Sequence, residues 1–311
     1  MDSEENNLEV MPLPKSNNHA LREGKRMNNM KKALKTILIC ILAIIVLTIS
    51  QSIAIVVGQL IVMIGLPQVV EPIIDSILYP ILAFFGLKLV AGKRNGFSLK
   101  SFRIDKPSIK WYWILTALLL PIIVVFSFFL LNGTWVVNGT SAYNKVVLVL
   151  FGVLYYSLAA GIVEEMVFRG IIMGTLEREY NPVVAILVPS ILFGAVHIIG
   201  NELNVISIAQ LVVAGTFVGI MFSLIEYQSG NVWNNAIVHA LWNMSTIGIC
   251  HIGFELDENS LFTLIINTKS TLLSGGDFGI ESSLIAIAGY VIISVVAFYM
   301  IYKSKNKNVQ S

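Results

Sequence analysis

Eight stretches of this chain are apolar over a length that lets a helix cross a bilayer: about residues 36 to 64, 73 to 91, 112 to 131, 146 to 176, 183 to 200, 205 to 225, 231 to 250 and 284 to 302. A crossing helix needs roughly 17 to 25 such residues, so the repetition predicts an all-α fold, a polytopic transmembrane helical bundle of about eight spans. Charged residues make up 13% of the chain, against about 25% in a soluble domain, and no basic nucleic-acid signature is present. Cys40 and Cys250 both fall in apolar runs, which suits buried free thiols better than a disulfide framework or a cysteine-rich metal site.

Basic residues set the topology. Lys25, Arg26, Lys31, Lys32 and Lys35 precede the first span, Lys93, Arg94, Lys100, Arg103, Lys106 and Lys110 fill the second connection, and Lys303, Lys305 and Lys307 follow the last span. With eight spans those segments share one side, so both termini are expected in the cytoplasm. Residues 1–35 read as a flexible cytoplasmic tail, rich in Asn and carrying Pro12 and Pro14, 36–302 as the bundle, and 303–311 as a cytoplasmic C-terminal tail. Glu71, the Asn- and Gly-rich segment from Asn132 to Lys145 and the stretch from His251 to Ser283 read as connections on the opposite face.

The fourth span carries Gly161-Ile-Val-Glu164-Glu165-Met-Val-Phe-Arg169-Gly170 near its middle. Each such charge costs about 2.5 to 3.5 kcal/mol at the centre of a membrane helix, so these residues must be paired or useful. Glu165 and Arg169, spaced i,i+4, share a face and can form an internal ion pair. Glu164 points about 100° away and stays outside that pair. Taken alone, the three fit a structural cluster fastening helices as well as they fit a site. Glu177, Arg178 and Glu179 precede Asn181-Pro182 and read as a solvated helix end.

The fifth span contains Phe193-Gly-Ala-Val-His197 and the seventh His239-Ala-Leu-Trp-Asn243, each again i,i+4. Two of the four histidines in the chain thus lie inside spans beside such partners, whereas His19 and His251 fall in the tail and at a membrane edge. Asn234 and Asn235 read as helix-start residues. A membrane Asn is often interhelical glue and a lone membrane His a hydrogen-bonded core residue. Three helices bringing a carboxylate, two imidazoles and an amide to similar depth favour a catalytic site, because those are the parts that activate a water and stabilise an oxyanion. His197 lies nearer the end of its span than Glu164 does, a gap that a kink at Pro189 would close.

The ordered motifs Glu164-Glu165-Met-Val-Phe-Arg169, Phe193-Gly-Ala-Val-His197 and His239-Ala-Leu-Trp-Asn243 resemble those of the CPBP intramembrane endopeptidases, which include type II CAAX prenyl proteases and bacterial bacteriocin-processing or self-immunity (Abi) proteins. The resemblance covers about residues 145 to 250, the expected protease core. It implies a general base at Glu164, a water held or protonated by His197, an oxyanion stabilised by His239 and Asn243, and a Glu165–Arg169 pair that orients Glu164. It also implies a peptide or protein substrate reached from the lipid bilayer. The metal question stays open: Glu164, His197 and His239 could supply three ligands to a divalent ion such as Zn2+, while a glutamate-activated water needs none. The rival readings are a non-catalytic immunity or regulatory scaffold of the same fold and a proton-coupled transporter, the latter without the pair of broken helices that marks an inverted repeat. The Ile, Asn and Lys content points to a bacterial plasma membrane and to a leader, bacteriocin or signalling peptide as substrate.

Overall fold

A computed structural model describes residues 15–268 and 270–310. In chain order the elements that frame the site are α1 (Lys15–Met63), α2 (Val70–Asn95), α3 (Trp111–Phe129), β1 (Gly133–Val137), α4 (Ala142–Glu179), α5 (Pro182–Val196), α6 (Val205–Ser229), α7 (Trp233–Asn243), β2 (Cys250–Gly253), β3 (Phe262–Ile266) and α8 (Leu284–Gln310). The chain divides into two units, Met1–Leu38 and Ile39–Ser311. In the first, the expected flexible tail over 1–35 is helical from Lys15 onward, and residues 1–14 lie outside the described residues. The expected C-terminal tail from 303 likewise continues α8 to Gln310.

Among the described residues, six helices are long and apolar enough to cross a membrane: Arg22–Met63, Val70–Gly92, α3, α4, α6 and Leu284–Lys307. The protein is an integral multi-pass membrane protein built as a helical bundle. Two of the eight expected spans differ. The stretch expected over 183–200 is α5, only 15 residues long, and that over 231–250 is α7, 11 residues long, followed by a π turn at Met244–Gly248 and then β2. At 1.5 Å per residue these are about 22 and 16 Å, short of a hydrocarbon layer of about 30 Å. Their apolar residues had suggested full crossings, but the chain breaks off the helix after Val196 and turns at Gly200, whose φ is 84°.

Local chemistry sets these boundaries. Asn181 caps α5 by accepting a hydrogen bond from the Val184 amide at 3.0 Å, with Pro182 in the first turn, the position where its missing N–H is harmless. Asn204 caps α6 through the Ser207 amide at 3.0 Å, and Gly230 ends it in the left-handed region at φ 66°. Between them α5 and α6 pack at backbone contact. A Cβ on Gly215 would stand 2.4 Å from Gly194 Cα, and one on Gly219 would stand 2.6 Å from Ser190 Cα. This is the small-residue crossing by which membrane helices approach closely, and it holds the helix ending at His197 against α6. Gly215→Leu is therefore expected to force the helices apart, with overpacking of about 1 to 3 kcal/mol read as a lower midpoint in detergent thermal unfolding; an unchanged midpoint would refute the close crossing.

Beside the expected helical bundle lies a small sheet of order β1-β3-β2, with β1 antiparallel and β2 parallel to β3. Gly133 pairs with Ile266 and Val137 with Phe262. Its strands come from the two segments read as connections, and Thr134-Trp-Val-Val137 and Phe262-Thr-Leu-Ile-Ile266 are rich in β-branched and aromatic residues. They lie too far apart in sequence to announce a hairpin. Asn138 extends the pairing, donating through Nδ2 to the Glu258 and Ser260 carbonyls at 2.8 and 3.1 Å.

Candidate active site

The long helix α4 is not uniformly α-helical. π-helical turns over Phe151–Ala159 and Met166–Ile172 flank a single α segment, Ala160–Glu165. Such turns widen the helix locally and often mark functional positions. The α segment between them ends on Glu164 and Glu165, and Gly161 lets α7 approach: a Cβ there would meet the Ala240 amide nitrogen at 3.1 Å.

Glu165 and Arg169 form the expected pair, Oε1 to Nη1 at 2.8 Å, with both side chains fully buried. The guanidinium also donates to the Gly219 carbonyl at 3.3 Å and lies 4.5 Å from the Phe193 ring and 5.0 Å from that of Phe222. Phe193 thus walls the cation with its ring while its own backbone carbonyl serves His197. The resemblance implied that the pair orients Glu164; the hydrogen bonds of Glu165 run to Arg169, Asn235 and His239. Its Oε1 receives His239 Nδ1 at 2.8 Å and its Oε2 receives the Asn235 amide, so the pair fixes α7.

The two histidines are then held alike. A carboxylate and a backbone carbonyl can only accept, so Nδ1 carries the proton in both rings: His239 donates to Glu165, and His197 donates to the Phe193 carbonyl at 2.6 Å. Each ring turns Nε2 toward Glu164. Oε2 of Glu164 is 4.0 Å from His197 Nε2 and 3.8 Å from His239 Nε2. His197 is the residue that ends α5, so a short helix, and not a kinked full span, brings it to the depth of Glu164. Asn243 lines the same cavity, with Nδ2 donating to the Tyr156 carbonyl at 3.0 Å. All six expected site residues surround one region, though Arg169 and Glu165 stand behind it and not on its lining.

The cavity itself measures about 180 Å³ and is lined by Glu164, His197, His239 and Asn243 among largely apolar and aromatic side chains. Oε2 of Glu164 is buried in it with no hydrogen-bond partner. Among the described residues no three His, Cys, Asp or Glu side chains form a group of metal-holding geometry, so Glu164, His197 and His239 do not fit as a ready ligand triad. Cys250 is no rival nucleophile, because burial pushes its thiol up to about 11 and keeps it protonated at neutral pH.

Several members of the site were not foreseen. Asn235, read as a helix-start residue, is fully buried on Glu165. Asn235→Leu removes a donor to a buried carboxylate and is expected to cost about 1.5 to 3 kcal/mol, measurable as a lowered unfolding midpoint; no loss would show that the contact carries nothing. Phe278 and Glu281, from the segment read as an outer connection, reach the cavity wall, as does Gln51 of α1. Glu177, read as solvated, binds Arg103 at 2.7 Å, and Arg178 lies over the rings of Phe97 and Phe102 at 4.4 and 4.2 Å. Glu226 is also fully buried, and among the described residues neither carboxylate oxygen has a hydrogen-bond partner.

Residues 145–245 match the family model described as type II CAAX prenyl endopeptidase, Rce1-like, the same family that the three motifs resemble. The matched segment runs from α4 through α7 and contains all six site residues. No curated protein matches the chain.

Proposed function

We propose that the protein is an intramembrane endopeptidase that hydrolyses a peptide bond with water activated by Glu164. The observation that carries this reading is the buried, unpartnered Oε2 of Glu164 facing two Nε2 atoms at 3.8 and 4.0 Å. Those separations are too long for direct hydrogen bonds and suit one water bonded to each group at about 2.8 Å. A cluster serving only to fasten helices would turn its carboxylates onto neighbouring donors, as Glu165 does; Glu164 turns Oε2 toward the cavity and the two imidazoles without a hydrogen-bond partner.

In this scheme Glu164 takes a proton from the water as its oxygen attacks the scissile carbonyl carbon, with the Nε2 lone pair of His197 accepting the other water hydrogen. The oxyanion that forms lies against His239, protonated at Nε2 and balanced by Glu165, and against an amide hydrogen of Asn243. Collapse of the intermediate breaks the C–N bond, and the proton held on Glu164 passes to the departing amine. The scheme balances with water as the only co-reactant. The substrate class is a peptide or membrane-tethered protein, of the leader, bacteriocin or signalling type, in a bacterial plasma membrane with both termini cytoplasmic.

The test is a randomised peptide library incubated with the purified full chain in proteoliposomes made in heavy-oxygen water. Cleaved products carrying the label in the new carboxylate, lost in His197→Ala, support the reading. No cleavage by the wild-type protein overturns it.

A further inference from the structure

The last turns of α2 carry Phe84, Phe85, Lys88, Leu89 and Gly92, a spacing that places all five on one helical face. Phe84, Phe85, Lys88 and Leu89 are exposed. At the end of the helix Gly96 adopts a φ of 70°, and the Gly96 and Phe97 amides reach back to the Gly92 and Ala91 carbonyls at 3.0 and 3.2 Å. The chain therefore doubles back and lays Phe97, Ser98 and Leu99 beside the face that it has just left, enclosing a groove of about 570 Å³. The Phe97 wall is braced from behind, with the Phe102 ring edge-on at 5.9 Å and the Arg178 guanidinium of α4 over its ring at 4.4 Å. Gly92 keeps the groove open: a Cβ there would meet only the Phe97 carbonyl oxygen, at 3.9 Å.

We infer that this groove binds one anionic glycerophospholipid, with the lipid phosphate on Lys88 and an acyl chain along Phe84, Phe85 and Leu89. The lining dictates both halves of the ligand. Apart from Ser98 it is apolar and aromatic around a single charge, Lys88, and among the described residues no carboxylate lines it. Lys88 lies four residues before the end of the apolar crossing segment Val70–Gly92, about 6 Å inward along the helix. An ammonium at that depth on an exposed helical face needs an anion brought to it or must stretch to the headgroup layer. The groove lies on a crossing helix, so what fills it comes from the bilayer and must be apolar along most of its length. Charge complementarity selects an anionic headgroup: Arg178 adds a second cation beside the Phe97 wall, and the connection from Lys93 to Lys110 holds six Lys or Arg against one Asp. The site stands apart from the cavity of Glu164 and does not depend on the protease reading.

The experiment reconstitutes the full chain into nanodiscs of phosphatidylethanolamine and phosphatidylglycerol in equal parts, extracts it in mild detergent and counts retained phospholipids by native mass spectrometry. The wild-type protein and Lys88→Arg are expected to keep one phosphatidylglycerol in preference to phosphatidylethanolamine. Lys88→Gln, which removes the charge, and Gly92→Leu, which fills the groove, should each lower that occupancy by about fivefold or more. Occupancy unchanged in both variants overturns the site. Equal retention of the two lipids by the wild-type protein overturns the anionic headgroup. Unfolding midpoints in lipid-free detergent report whether the variants fold. If they do not, the wild-type midpoint decides: a rise with added phosphatidylglycerol and none with phosphatidylethanolamine or inorganic phosphate supports the site, while an equal rise with inorganic phosphate overturns the part given to the groove.

Discussion

Glu164→Gln is expected to lower kcat by about 10² to 10⁴, the usual contribution of a positioned general base, while leaving the unfolding midpoint and KM at their wild-type values. The two halves of that expectation come from the same atom. Oε2 of Glu164 has no hydrogen-bond partner among the described residues, so the substitution breaks no direct hydrogen bond in the bundle. An amide of the same size cannot take a proton from water at neutral pH, so the step that makes the nucleophile is lost. The measurement is a kinetic assay on a peptide cleaved by the wild-type protein, paired with thermal unfolding in the same detergent. Full activity in a folded Glu164→Gln protein would remove the carboxylate from the mechanism. Reduced stability with partial activity would instead make Glu164 a fastening residue, the role that its neighbours Glu165 and Arg169 fill.

What could be read from the chain and what could not divide along one physical line. The i,i+4 relations of Glu165 with Arg169, Phe193 with His197 and His239 with Asn243 are local, and helical geometry carries them directly into shared faces. That the three helices converge followed from shared depth, because polar groups in an apolar slab have few places to go. What depended on irregular backbone was hidden. Phe278 and Glu281 enter the wall from a segment with three glycines in the left-handed region, Gly275, Gly276 and Gly279, where no periodic pattern announces direction. The same holds for the shortness of α5 and α7, since their flanking residues are apolar enough to imitate full spans. Asn235 was hidden for another reason: an Asn near a helix start has a bland local explanation, and only the tertiary contact to Glu165 overrides it. The contact of Glu165 with His239 also follows from the fold, as the direction of a side chain across a helix interface is set by the neighbouring helix.

The second large effect concerns stability. Arg169→Leu removes a fully buried cation and leaves the Glu165 carboxylate, equally buried, facing only Asn235 and His239. Breaking one partner out of a buried ion pair typically costs about 3 to 5 kcal/mol, here because the Glu165 carboxylate loses its strongest counter-charge in a medium that solvates it poorly and keeps only the His239 ring to offset it. The loss of Arg169 from the rings of Phe193 and Phe222 and from the Gly219 carbonyl acts in the same direction, so Arg169→Leu is expected to be the most destabilising single change at the site. The partner substitution separates charge from packing. Glu165→Gln keeps an acceptor for His239 Nδ1, and in the Arg169→Leu background it discharges the group that the first change stranded. The double variant is therefore expected to recover about half or more of the lost stability, while remaining inactive because His239, without the Glu165 carboxylate beside it, no longer holds a proton on Nε2 for the oxyanion. A double variant no more stable than Arg169→Leu alone would mean that the pair contributes through shape and ring contacts, and that the charge of Glu165 is tolerated without Arg169.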